Sequence, residues 1–318
     1  NIPPDLYRVA RQRLEAAGRA DMARRYYENS CRWQALCMKY SFEKIRRCPV
    51  IVGFDHLGAW DIMWHRSGYS CGWMNEFMEL KYGRTPEYIR EFNDDSVVLL
   101  DAGRRRNVRP GEAFSREIMV SLYGGKPLQD GVLEWTLTQA DDLSNPDQGK
   151  QPLLIGKIRN LSAQDGQLNS LGKLEYTWPN VANACKVVLR LTLTGEGYDM
   201  TNHWDYWIFP DRPAPTVQAA CDDGLRGKLS KRYAGLVPPD TAGKSLIWIA
   251  DSLRAEHLDH LARGGDLLLL GSKPFPTRKT SFQIGNAGRP HHNVATVIHD
   301  HPIWDGFPHE GFCDWQFF

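Results

Sequence analysis

No run of about 18 apolar residues occurs in this chain, so a helical membrane span is not expected; the longest apolar stretches, "CPVIVGF" and "DLLLLG", are strand-sized. Charge of one sign is missing too. Lys and Arg number 39 against 38 Asp and Glu, which removes the broad basic field that nucleic acid or an anionic membrane would require. The seven cysteines (31, 37, 48, 71, 185, 221 and 313) contain no CxxC pair and are odd in number. Neither a zinc site nor a closed disulfide framework is therefore indicated, and they read as buried thiols. No internal repeat or low-complexity segment occurs. The start, "NIPPDLYRVARQ", has neither an initiator Met nor a signal peptide, and the end, "GFCDWQFF", stops on aromatic residues. Both ends read as cuts from a longer protein. At 318 residues, two or three domains are expected.

What is present falls into three zones. Residues 1–95 are helical and aromatic: Trp33, Leu36, Cys37 and Tyr40 recur at i, i+3, i+4 and i+7 on one helix face. Arg46 and Arg47 suit the last turn of that helix and Pro49 ends it. "VIVGF" follows, an unalternating apolar run expected to be a strand covered on both faces. Residues 96–210 change to period two. Ile118, Val120 and Leu122 alternate with Met119 and Ser121. Leu133, Trp135 and Leu137 alternate with polar neighbours, as do Val187, Leu189, Leu191 and Leu193. Antiparallel strands in a β-sandwich are expected there. Residues 211–318 return to α/β, with "KSLIWIA" and "DLLLLG" as parallel strands around the helix "DSLRAEHLDHLAR". Leu253, Leu258 and Leu261 are expected on its inner face and "GG" at its stop.

The order "ALCMKYSFEKIRR", "VIVGFDHLGAW", "GYSCGWMNEFMELKYGRTPEYI" resembles the end of the (β/α)8 barrel in glycoside hydrolases similar to family 2, the β-galactosidase and β-glucuronidase relatives. The resemblance implies a multidomain chain. It would hold the C-terminal segment of a barrel (1–95), an antiparallel immunoglobulin-like β-sandwich (96–210) and a flavodoxin-like or amidotransferase-like α/β accessory domain (211–318). A complete barrel needs about 250 residues, so most of the catalytic domain would lie upstream, with both catalytic carboxylates. The activity implied is retaining hydrolysis of a terminal glycoside of a poly- or oligosaccharide, without an organic cofactor. Carbohydrate is the implied partner, the location extracytoplasmic, and homo-oligomers could form through the accessory domains. The alternative is a non-catalytic carbohydrate-binding or scaffold protein.

The stretch "GFDHLGAWDIMWHRSGYSCGWMNEF" has neither helical nor strand periodicity and is crowded with polar and aromatic residues. Following the C-terminal end of a presumed barrel strand, Asp55, His56, Trp60, Asp61, Trp64 and His65 are the candidate sugar contacts, with Trp60 as the stacking platform. The opposing reading is a polar network that holds a closing loop. A metal site at Asp55, His56, Asp61 and His65 matches no established spacing. Asn75-Glu76 mimics the family's Asn-Glu acid/base pair, but that pair belongs to the fourth strand, so Glu76 reads as part of a turn. His291, His292, His299, His301 and His309, with Asp300 and Glu310, read as solvated loop residues. Cys221 and Cys313 lack the elbow and base of a nucleophile. Arg104, Arg105, Arg106 and Arg109 read as a solvated hairpin loop or an interdomain contact.

Overall fold

The computed structural model describes residues 5–51, 53–56, 58–62, 72–140, 151–213, 218–231, 233–241, 247–270 and 297–317. They belong to two compact units, one of residues 1–210 with 281–318 and one of residues 211–280. The chain is a helical and multi-sheet protein whose sheets are all open, with no closed barrel among the described residues. None of the described helices is long and apolar enough to cross a membrane.

The larger unit opens with α1 (Asp5–Ala16), α2 (Ala23–Arg46) and the short α3 (Pro86–Arg90). Thr85 caps α3, accepting from the Tyr88 amide, with Pro86 in its first turn. Eight strands follow: β1 (Val97–Leu100), β2 (Asn107–Val108), β3 (Ala113–Leu122), β4 (Leu128–Gln139), β5 (Leu154–Ala163), β6 (Gln167–Thr177), β7 (Cys185–Gly195) and β8 (Tyr198–Ile208). They form a three-stranded sheet, β1-β3-β6, and a five-stranded sheet, β2-β8-β7-β4-β5. Pairing is antiparallel throughout except between β2 and β8. The alternating residues of both sheets meet in one core: Ile118, Val120 and Leu122 from one, Leu133, Leu137, Val187, Leu189, Leu191 and Leu193 from the other. Period-two apolar patterning has this outcome because side chains on a strand point alternately to opposite faces.

Two features of this unit differ from the sequence expectation. The described residues of "VIVGF" form no strand, and Val50 is 83% exposed, with Ile51 and Phe54 also exposed. A parallel strand needs helices on both faces to bury such a run, and no sheet among the described residues includes it. Secondly, the residues after 297 were expected to belong to an α/β domain of residues 211–318, but they return to the sandwich unit. There Phe312 packs with Trp33 and Cys37 of α2, so the predicted apolar face of that helix is covered by the end of the chain.

The smaller unit contains β9 (Ala219–Cys221), α4 (Asp223–Leu229), β10 (Leu236–Val237), β11 (Ile247–Ala250), α5 (Ala255–Ala262) and β12 (Asp266–Leu269). Its four strands are parallel in the order β10-β9-β11-β12. Gly264, at φ +85°, ends α5 in the left-handed conformation that glycine adopts without strain. The inner face of α5 is not the leucine face: Leu258 (53%) and Leu261 are exposed, whereas His257 and His260 are buried against Trp248. The reason is the carboxylate of Asp222, buried at the end of β9, with His257 Nε2 3.4 Å away. A buried carboxylate requires polar partners, and turning the leucines inward would remove one.

Candidate functional site

Of the six predicted sugar contacts, Trp64 and His65 lie outside the described residues. The other four have different surroundings. Asp55 is exposed, and Trp60 is 41% exposed. The Trp60 backbone is bridged to Met74, and a Cβ at Gly72 would come within 2.5 Å of the Trp60 carbonyl carbon. Only glycine permits that approach. His56 is half-buried, its ring 5.7 Å from Phe42 and 5.5 Å from Trp73. Burial lowers its pKa, with Asp55 opposing. Asp61 is buried, paired with Lys81 at 2.7 Å and accepting from the Gly72 amide at 3.0 Å. Asp61 thus ties its segment to Gly72 and Lys81, and of the four Trp60 and Asp55 are the exposed ones. Asn75 and Glu76 lie in a turn: Asn75 Oδ1 accepts from the amides of Phe77 and Glu79.

Adjoining this stretch is an open cleft of about 450 Å³, lined by Arg46, Ile51, Gly53, Phe54, Asp94, Asp95, Ser121, Tyr123, Gln167 and Leu168 among others. Its size is that of a small-ligand site. The rings of Phe54 and Tyr123 are exposed. Phe54 is held edge-on to Phe42 at 4.8 Å, with the Arg46 guanidinium 5.8 Å from its centroid. Arg46 donates to Ser121 Oγ at 3.2 Å and to the Asp94 carbonyl, which fastens the end of α2 to β3. Burial lowers its pKa against the opposing charges of Asp94 and Asp95. Apolar faces beside carboxylates, an amide and a guanidinium suit a polyhydroxylated ring with one C–H face. The sequence signal for this cleft was the "NDDS" turn and "LYGG", both lost among ordinary turn residues.

A buried polar network joins α2 to β8. Lys39 and Glu43 of α2 are buried and 3.1 Å apart. Lys39 also donates to Glu91 at 3.2 Å and to Asn202, while Glu43 accepts from Trp204 Nε1 at 3.1 Å and Asn202 Nδ2 at 3.2 Å. His203 Nδ1 lies 2.8 Å from Glu91. Burial would raise the Glu91 carboxyl, but Lys39 and His203 outweigh it and hold it below the usual range. A second cluster joins Lys186 of β7 to Asp205 at 2.9 Å and to Glu310, which also binds Arg32. Lys186 is deeply buried, yet its two carboxylate partners raise its pKa.

Glu310 is therefore not the solvated loop residue expected from sequence. His299 and His301 are exposed, whereas His291 and His292 lie outside the described residues. Arg106 likewise departs from the solvated-loop reading: it is 5% exposed, stacked over Tyr206 at 5.0 Å and Trp315 at 5.7 Å. The returning end of the chain covers it. In the smaller unit, Asp222 accepts from Trp248 Nε1 at 2.9 Å and the Asp251 amide at 3.2 Å, and pairs with Arg254 at 2.8 Å. Burial would raise its pKa; these partners hold it below the ordinary range. Cys221 beside it is fully buried, and burial raises its thiol pKa, the opposite of an activated nucleophile. Among the described residues, no three His, Cys, Asp or Glu side chains converge to hold a metal.

A family described as a domain of unknown function, DUF8488, matches residues 112–210, the stretch from β3 to the end of β8. No curated protein matches. Among solved structures the chain is similar to the sporulation control protein Spo0M from Bacillus subtilis, at 14% identity over 36% of this chain and 49% of that one, TM-score 0.27. It is similar to the alkylpurine DNA glycosylase AlkC from Pseudomonas fluorescens at 9% identity over 38% and 32%, TM-score 0.27. A family 123 glycoside hydrolase from Clostridium perfringens, described for glycolipid glycan hydrolysis, matches at 13% identity over 45% and 34%, TM-score 0.23. The chain spans half or less of these proteins, and likenesses this low carry no argument about fold or function.

Proposed function

We propose that this chain is the C-terminal part of a glycoside hydrolase similar to family 2, and that it holds carbohydrate in the cleft beside Phe54 and Asp55. In this reading residues 1–95 belong to the end of a barrel. The two antiparallel sheets are an immunoglobulin-like sandwich, and the parallel sheet, with strand order 2-1-3-4 within its unit, is flavodoxin-like. The two carboxylates that retaining hydrolysis requires would come from outside this chain. An extracytoplasmic location and oligomers through the accessory domains belong to the same proposal. The observation that carries it is the cleft of about 450 Å³ with two exposed rings among carboxylates, an amide and a guanidinium. The test is twofold: calorimetric titration of this chain with neutral oligosaccharides, and hydrolysis of aryl glycosides by the natively produced protein. Saturable binding with hydrolysis supports the proposal; no binding overturns it.

A second reading, a non-catalytic carbohydrate-binding or scaffold protein, is favoured by the exposure of Val50, Ile51 and Phe54, which no described strand takes up. It predicts binding without hydrolysis in the same pair of measurements.

A further inference from the structure

We infer that the cleft at Phe54 selects basic sugars: it prefers a ring carrying a free amine, of the glucosamine type, to the neutral ring, and disfavours uronic acids. The inference rests on the carbohydrate reading of the cleft and adds to it the charge of the ligand. The charged groups that line the space are Arg46, Asp94 and Asp95, one cation against two carboxylates, so the local charge is net negative. That sign is local, because the chain as a whole carries +1.

The three groups are not equally available. Arg46 is committed to the protein: it donates to Ser121 Oγ and the Asp94 carbonyl, its plane approaches the Phe54 ring, and its Nε is buried. Its guanidinium is thus held in place, and its charge is partly offset by the neighbouring Asp94 and Asp95 carboxylates. Asp94 is half committed, since its Oδ1 accepts from the Asp95 amide at 2.8 Å. Asp95 is exposed, and among the described residues no donor is hydrogen-bonded to its carboxylate. Two carboxylates with spare lone pairs thus stand at a mouth whose lining cation is tied down. The exposed rings of Phe54 and Tyr123 point to the same sign, because aromatic faces attract cations as well as C–H groups. A uronate would meet two like charges offset by only one cation, the Arg46 guanidinium already held by Ser121 and the Asp94 carbonyl.

Because Asp94 and Asp95 are exposed, each ion pair is weak and screened by salt. The preference expected at low salt is about 2- to 5-fold in affinity for each amine that pairs. The experiment titrates the intact chain, by calorimetry or by chemical-shift perturbation, with oligomers that share one ring and linkage: β-1,4-linked glucosamine, its N-acetylated form and glucose, together with an oligouronate. The expected order is the glucosamine oligomer first, the acetylated and neutral oligomers together, and the uronate last, with the differences collapsing at high salt. In Asp94→Asn/Asp95→Asn the glucosamine oligomer should lose its advantage over the neutral one. Asp95→Asn alone, which leaves the Asp94 hydrogen bond in place, should give part of the same effect. Phe54→Ala should weaken all binding ligands alike. Equal affinity of the three gluco oligomers at low salt, or a preference that survives both carboxamide variants, would overturn the inference and leave the carbohydrate reading standing. Absence of binding by every oligomer removes the carbohydrate reading and this inference with it.

Discussion

Asp314 is 1% exposed, and its surroundings make the stability of the larger unit depend on its protonation. Burial, together with the neighbouring Glu310 carboxylate, raises its pKa to about 7. Its native pKa therefore lies above the unfolded value, so its contribution favours the fold below the unfolded pKa and is lost as pH rises through the native one near 7. A carboxyl lifted that far from its ordinary range contributes on the order of 4 kcal/mol at most. Asp314→Asn should remove this dependence: melting temperatures of variant and parent should converge near pH 4, with the variant higher at pH 8. A parent whose stability does not fall across that interval would contradict the assignment. Trp60, by contrast, is 41% exposed, so Trp60→Ala should lower the melting temperature less than truncation of a core aromatic such as Phe312 does. If its ring stacks on sugar, binding should weaken by roughly 1 to 3 kcal/mol, as for aromatic platforms under bases. Unchanged affinity in a folded variant would exclude the ring from the site.

Among the elements, α2 is the one whose sequence carries two messages. Its apolar stripe through Trp33 and Cys37 was readable at helical spacing, and it is buried. Lys39 and Glu43, which look like an ordinary exposed i,i+4 pair, are buried against β8 and Glu91. Periodicity cannot distinguish the two cases, because a charged pair has the same spacing on either face. Lys39→Met should cost about 3 to 5 kcal/mol in urea unfolding, since it leaves the buried Glu43 without its cation and takes one partner from Glu91. Arg11→Ala, which removes the exposed pair with Glu15 in α1, should change stability by no more than about 1 kcal/mol. Similar costs for the two would refute the buried role of Lys39. In β3, Met119 and Ser121 are buried although their alternation marks them as outward. The end of α2 supplies the cover for Ser121, through Arg46.

At the scale of the molecule, the return of residues 297–317 to the sandwich unit is the main departure from the expected domain order. The segment is tied by several kinds of contact: Phe312 between Trp33 and Cys37, Glu310 on Arg32 and Lys186, Asn29 Nδ2 donating to the Gly311 carbonyl, and Asn107 Nδ2 donating to the Gln316 carbonyl at 2.7 Å. Phe312→Ala should therefore destabilise the sandwich unit by about 3 to 5 kcal/mol, followed by thermal unfolding. A cost below about 1 kcal/mol would mean that the segment is dispensable to the unit.

The sequence by itself determined the local order: a long amphipathic helix, a run of alternating strands, and a small parallel α/β unit. Side-chain period and turn residues act over only a few positions and need no partner. It also marked residues 53–77 as unusual. Only the tertiary structure decided which of those residues face water, that Asp61 pairs with Lys81 and His56 packs on Phe42 and Trp73, that Glu310 is tied to Arg32 and Lys186, that Arg106 is buried, and that Asp94, Asp95, Tyr123 and Gln167 share a cleft with Phe54. Burial and convergence depend on contacts between residues far apart in the chain, such as Arg32 with Glu310 or Arg46 with Ser121, and no local pattern encodes them.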